Sequence, residues 1–271
     1  MADRSEIALV STLHDPEGRM VPFMAKCLSL LTQLYQYMAV VATPQTAKET
    51  LAPLRQAGAD VWDDGDGQIG KNRRWALAAG VERGGTPFYH YCDFDRLLHW
   101  AWHEPEELER VTQQQVPRAG YTAIGRTEAA FASHPPVQQE LEGMTNEVFS
   151  FIVGEEMDVT AGSSGCSRAA ARMLVQRSIE TSNATDAEWP MIIRQHTRLG
   201  VQQIRVEGLA FETATFHGNG VYETAHTTDN WAQRARLARA SVAAAIRVAR
   251  QEAAQQAAHE AAQGAEDAIS D

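Results

Sequence analysis

A doubly wound α/β layer is the fold class this sequence predicts, on two observations. Apolar, β-prone runs alternate with helical ones from Ile7 to Gly80, and Gly, Asp and Pro residues mark the junctions. That alternation implies parallel strands joined by crossover helices. Polar residues also collect just behind the apolar runs, at Ser11, Thr12, Asp63, Asp64, Asp66, Asp93 and Asp95. In such sheets ligands bind beyond the carboxyl ends of the strands, where all of these fall.

The first strand is the compact apolar run Ile7 to Leu13, followed by the turn-prone His14-Asp-Pro-Glu-Gly18. Helical periodicity covers Val21 to Tyr35, Tyr37 to Ala42 is a second strand, Thr46 to Gln56 a second helix closed by Gly58, and Asp60 to Trp62 a third strand. A Gly-rich turn from Asp63 to Gly70 then runs into a helix, whose Lys71, Asn72 and first-turn amides suit a nucleotide base, ribose or diphosphate. A plain helix entry with solvated basic residues is the competing reading. The Walker pattern is excluded, because Asn72 follows Lys71 and the glycine spacing differs.

Phe88 to Asp95 is an aromatic, β-prone run ending in two aspartates. Read as a strand, it puts Asp93 and Asp95 on one face where the strand opens into a loop. Two carboxylates held that close are stable when a divalent cation lies between them or water solvates them. Glu104 to Gln115 then reads as a surface helix, Tyr121 to Arg126 as a strand, and Val148 onward as a strand with an irregular connection. In Asp158 to Val175, small residues such as Gly162 and Ser163 let backbone approach a ligand, and Ser167 caps the next helix. Asp186 and Glu188 open an apolar helix, Val201 to Phe211 is β-prone, and from Trp231 an Ala-rich, Arg-bearing sequence predicts one long helix.

Composition bounds the function classes. The 271 residues suffice for one large domain or two small ones. A formal net charge of -11, with no Lys/Arg-rich face before the C-terminal region, argues against nucleic-acid binding by phosphate neutralisation. Cys27, Cys92 and Cys166 lie far apart without zinc-ligand spacing and read as buried thiols of a reducing compartment. With no signal-peptide core and no window of transmembrane length, a cytoplasmic location is expected.

The order of these pieces over residues 7 to 220 resembles the glycosyltransferases of the GT-A fold, in particular the retaining mannosylglycerate-synthase-like group. The matching elements are Gly65-Asp-Gly67 with the Lys71-Asn72 helix, Asp93-Phe94-Asp95, the Gly-rich Ala161 to Arg168, the acidic opening at Asp186 or Glu188, and His217. The resemblance implies a mixed sheet flanked by helices with a C-terminal helical extension. Residues 1–127 would bind the nucleotide sugar, 128–230 the acceptor, and 231–271 would form the tail. It implies a nucleoside-diphosphate sugar held by Ser11, Thr12, Leu13, Asp66, Lys71, Asn72, Asp93, Phe94, Asp95, Gly162 and Ser163. It further implies Mn2+ or Mg2+ on Asp93, Asp95 and His217, and Glu188 or Asp186 at the reaction centre. A histidine ligand tilts such a site toward Mn2+. The chain departs from the group at Thr43-Pro-Gln45, where many relatives place an aspartate for the nucleobase.

The implied reaction is metal-dependent transfer of the sugar, with retention, to a small-molecule or glycan acceptor. Arg126, Arg168 and Arg194 are candidates for attracting an anionic one. Two other readings compete. Gly18-Arg19 and Lys26 faintly match a sugar-phosphate nucleotidyltransferase, and a non-catalytic sugar-nucleotide-binding scaffold would use the C-terminal helix for homo-oligomeric assembly.

Overall fold

The computed structural model describes residues 6–195, 198–218, 221 and 227–270. Seven strands form one mixed sheet: β1 (Ile7–Leu13), β2 (Met38–Ala42), β3 (Asp60–Trp62), β4 (Phe88–Cys92), β5 (Tyr121–Arg126), β6 (Ser163–Ser167) and β7 (Val201–Val206), in the order β3-β2-β1-β4-β6-β5-β7. The run β3-β2-β1-β4 is parallel. β6 lies antiparallel between β4 and β5, and β7 runs parallel to β5. The expected α/β class and mixed sheet are therefore observed.

Helices cover both faces. They are α1 (Val21–Leu34), α2 (Lys48–Gln56), α3 (Ile69–Arg83), α4 (Phe94–His103), α5 (Pro105–Arg110), α6 (Glu128–Ala132), α7 (Pro136–Val153), α8 (Arg168–Arg177), α9 (Thr185–Arg194), α10 (Thr213–His217) and a C-terminal helix, Thr228–Ser270. Alternation along β1 sorts the core. Ile7 and Leu9 pack with Met24, Leu31, Leu54 and Trp100 on one side, and Ala8 and Val10 with Leu77, Leu174 and Trp189 on the other. A strand buried on both faces reads as a continuous apolar run, which is why β1 and β2 are visible in the sequence.

Three expectations change. The strand carrying the aspartates stops at Cys92, and Asp93 becomes the residue ahead of helix α4, so Asp93 and Asp95 straddle a helix N-terminus and do not share a strand face. The predicted strand at Val148 is the last part of α7, whose Val137, Thr145 and Phe149 are buried at helical spacing and whose end is set by Gly154 at φ 77°. Finally, the predicted helix at Glu104–Gln115 is broken into α5, a π-helical turn (Val111–Gln115) and a 3-10 turn (Val116–Arg118).

The C-terminal helix packs on α7 and α9, burying Ala244, Ala245 and Val248. Its first part is thus a wall of the body. Ser167 caps α8 as expected, its hydroxyl accepting from the Ala170 amide at 3.3 Å. All three thiols are buried and unpaired. Among the described residues no helix is long and apolar enough to cross a membrane.

Candidate active site

From β1 the chain moves to β2 on one side, and β4 is later laid down on the other, so the carboxyl ends of β1 and β4 flank a topological switch point. A cavity of about 320 Å³ opens there, with Thr12 and Leu13 from β1, Asp93, Asp95 and Arg96 from the start of α4, and Asn72 from α3 on its walls. Glu212 and Arg234 close it from the C-terminal half.

Arg73 organises the floor. Its guanidinium is 1% exposed and reaches Asp93 Oδ2 at 2.8 Å and Asp186 Oδ1 at 2.6 Å, so one buried cation is shared by two carboxylates. The Thr12 hydroxyl donates to Asp93 Oδ1 at 2.8 Å, and the Tyr91 hydroxyl donates to the same oxygen. Burial pushes the Asp93 carboxyl up, but the charge of Arg73, then that of Arg96, and the two hydroxyl donors outweigh it and hold it below the usual range. For Asp186 burial wins, and the carboxyl is raised despite Arg73.

Two glycines allow this arrangement. A Cβ on Gly70 would stand 2.7 Å from the carbonyl oxygens of Glu180 and Ser182, so only glycine lets α3 start against that segment and bring Arg73 to Asp186. Gly162 has φ +67°, and a Cβ there would lie 2.9 Å from Asp93 Oδ2.

Asp95 is different, because among the described residues no guanidinium is bonded to it. One carboxylate oxygen accepts from the Arg96 amide at 2.8 Å. Burial, then the charge of Glu212, then that of Asp93 push its carboxyl up to about 7. A folded-state value above the unfolded one means that the native protein holds the extra proton. Stability of the metal-free protein is therefore expected to fall as pH rises from about 4 to about 7. Urea unfolding across that range should show a flatter pH profile for Asp95→Asn than for the native sequence; matching profiles would contradict the shift.

The remaining candidates separate. Asn72 is buried on the cavity wall, donating to the Asp66 carbonyl at 2.7 Å and accepting from the Asp66 amide at 2.8 Å, which braces the Gly-rich turn. Lys71 points away, its Nζ 3.1 Å from Asp66 Oδ2 at the surface. Ser11 donates to the Cys92 carbonyl at 2.6 Å, and Ser163 donates to the Tyr91 carbonyl at 3.2 Å; both hold strands together. Phe94 is a fully buried core side chain. Of these, Lys71, Ser11, Ser163 and Phe94 do not line the cavity that Asn72 walls, which leaves them no contact there with a donor.

Glu188, expected as one of two candidates at the reaction centre, lines neither this cavity nor the one beside it. It is 0% exposed, accepts from the Ile179 amide at 3.0 Å and from the Ser178 hydroxyl, and pairs with Arg247 at 2.7 Å. It anchors the C-terminal helix to the segment ahead of α9. Removing one partner of a buried ion pair strands the rest. Glu188→Ala is expected to cost about 3 kcal/mol in urea unfolding. A loss below about 1 kcal/mol, the range of exposed pairs, would contradict the anchoring role.

The expected metal set is not assembled either. Asp93 is ion-paired with Arg73 through Oδ2 and accepts from Tyr91 and Thr12 at Oδ1. His217 faces a neighbouring cavity of about 280 Å³ that Asp95 also borders, and its Nδ1 accepts from Arg19 at 2.7 Å. Among the described residues no three His, Cys, Asp or Glu side chains converge to hold a metal by themselves. Ions of the Mg2+ type are commonly bound through one or two carboxylates, with substrate phosphates and water completing the shell. Asp95, raised although the charge of Arg96 opposes this, and without an ion pair among the described residues, fits that smaller requirement.

The basic groups expected at an acceptor site lie elsewhere. Arg126 is buried between Asp158 and Glu142, Arg168 donates to the Thr86 carbonyl, and Arg194 pairs with Glu155 at the surface. Lys26 of the nucleotidyltransferase reading stacks over Trp102 at 4.1 Å on α1. Instead, a small second cavity adjoins the first and shares Arg96, Asn183 and Arg234 with it, adding Arg73, Asp186 and Glu142. Arg234 comes from the C-terminal helix and is held by Glu142 at 3.4 Å.

The sequence matches no family model and no curated protein. Among solved structures, the chain is similar to glucosyl-3-phosphoglycerate synthase from Mycobacterium tuberculosis. The complex of that enzyme with Mn2+, UDP-glucose and phosphoglyceric acid aligns at a TM-score of 0.56 and 14% identity over 92% of this chain and 80% of that one. Its UDP complex aligns at 0.54 and 14%, over 92% and 81%. Identity at this level speaks for the fold alone. The sheet order, the switch-point cavity and these alignments together give the chain the GT-A fold.

Proposed function

We propose that the chain is a metal-dependent glycosyltransferase that moves a sugar from a nucleoside-diphosphate sugar to a small anionic acceptor, with retention at the anomeric carbon. The observation that carries this reading is the switch-point cavity itself, in which a raised Asp95, without an ion pair among the described residues, stands beside an arginine-locked Asp93. The solved structure of the same fold that holds Mn2+ and UDP-glucose supports it.

As the glycosidic bond breaks, charge grows on the diphosphate leaving group, and a divalent cation bound at Asp95 would supply the counter-charge. The chain's own groups do the rest. Arg96 and Arg234 on the cavity wall add fixed positive charge beside the diphosphate. Asp93, immobilised by Arg73, offers a fixed acceptor for a donor hydroxyl. Asn72 and the turn it braces shape the nucleoside end, next to Thr43.

The adjoining cavity suits the acceptor, and its arginines favour a carboxylate or phosphate. Retention is supported by the state of the carboxylates there. An inverting enzyme needs a base within reach of the attacking hydroxyl, whereas Asp93, Asp186 and Glu142 are all engaged by arginines.

Incubation with UDP-, GDP- and ADP-sugars, Mn2+ and a panel of phosphorylated or carboxylated acceptors tests the reading. Release of nucleoside diphosphate with an α-configured product from an α-configured donor is expected. Pyrophosphate release from a nucleoside triphosphate and sugar phosphate would favour the nucleotidyltransferase, and no turnover with ligand binding intact would favour the scaffold.

A further inference from the structure

We propose that Glu212, and not His217, is the second protein ligand of the divalent cation that Asp95 holds. The inference rests on the metal-dependent reading above and names a ligand that no local motif announces. Glu212 stands immediately ahead of α10, is 7% exposed, and lines the same cavity as Asp95. Its Oε1 lies 3.9 Å from Arg96 Nε and accepts from the Thr213 hydroxyl at 3.4 Å. Its Oε2 is buried without a hydrogen-bond partner among the described residues.

An orphaned carboxylate oxygen in a buried site is costly unless something positive or hydrogen-bonding meets it. Arg96 steadies one oxygen and leaves the other, buried, without a hydrogen-bond partner among the described residues of a side chain that lines the cavity. Asp93 is less suited to this part, because the Arg73 cation already meets its Oδ2 and Tyr91 and Thr12 both donate to its Oδ1. Among the described carboxylates that line this cavity, Asp95 and Glu212 are the two that keep an oxygen without a hydrogen-bond partner. They form a pair of hard oxygen donors, with diphosphate oxygens and water left to complete the shell.

His217 is poorly placed by comparison. The Arg19 guanidinium, which also pairs with Glu17, donates to its Nδ1 at 2.7 Å, so that nitrogen is taken and a cation arriving at the ring would meet a positive charge. The pair of carboxylates also changes the metal preference. An all-oxygen set accepts Mg2+ about as readily as Mn2+, without the bias that an imidazole ligand would introduce.

Mn2+ binding read by electron paramagnetic resonance tests the assignment without turnover. Free Mn2+ is titrated against the full chain, with UDP and with GDP present, for the native protein, Asp95→Asn, Glu212→Gln and His217→Ala. Circular dichroism confirms that each variant is folded. Glu212→Gln and Asp95→Asn are each expected to weaken Mn2+ binding by about tenfold or more, the scale on which even supporting groups act, while His217→Ala stays within about twofold. Native-like binding by Glu212→Gln, or loss of binding in His217→Ala, overturns the proposal.

Should Glu212→Gln fail to fold, electron spin-echo modulation of the native Mn2+ complex decides. No imidazole nitrogen coupling is expected, and its presence overturns the proposal. Mn2+ binding that depends on Asp95 and ignores Glu212 removes this inference alone. A native protein that binds no Mn2+ with either nucleotide removes the metal-dependent reading along with it.

Discussion

Asp95→Asn is expected to lower sugar transfer by about 10²-fold or more, the cost typical of removing one preorganised electrostatic contact from a developing charge. The same change should leave the metal-free protein as stable as the native one, or more stable. Asp95 is raised by burial, Glu212 and Asp93, so its ionised form is a cost to the fold at neutral pH. Activity and stability therefore move in different directions, which separates a functional group from a structural one. Thermal unfolding without metal, beside an assay of nucleoside diphosphate release, reads both. A variant that unfolds earlier and keeps its turnover would show that Asp95 serves the fold.

Arg73→Ala is expected to cost about 3–5 kcal/mol of stability, the scale for stripping the partner from buried charges. Arg73 is 1% exposed, and its removal leaves Asp93 and Asp186 facing each other across the cavity floor. The Arg73→Met, Asp186→Asn double variant should recover part of the loss, because it removes one stranded charge and refills the volume. Urea unfolding of the three proteins measures this. A loss below about 1 kcal/mol for Arg73→Ala, as an exposed pair would give, would contradict the shared-cation account.

Much of the nucleotide-side half was legible because its strands are buried on both faces and its turns carry Gly and Asp. The boundaries of β1 and β3 and the Ser167 cap follow from those signals. The Asp93-Phe94-Asp95 stretch was also legible, but its geometry was not. Phe94, Leu97, Leu98 and Ala101 carry helical spacing, and that periodicity turns the chain into α4 at once, which the preceding aromatic run obscures.

Choosing between Asp186 and Glu188 needs the rotation of α9 about its axis, which is set by packing against α8 and the C-terminal helix. Arg73 sat inside the motif that drew attention to Lys71 and Asn72. A buried arginine is identified by its distant partners, here Asp93 and Asp186, and not by its neighbours in sequence. Glu212 and Arg234 lie in stretches that read as the end of a strand and an Ala-rich tail, and only the closure of the C-terminal half over the sheet brings them to Asp95.

Isothermal titration of UDP- and GDP-sugars into the native protein, with Mn2+ and again with EDTA, addresses the central claim most directly. One donor is expected to bind in the presence of Mn2+, with affinity falling by at least about tenfold, or 1.4 kcal/mol, when the metal is chelated. No binding of either sugar nucleotide, or binding indifferent to chelation, would contradict the assignment of the switch-point cavity to a metal-bound nucleoside-diphosphate sugar.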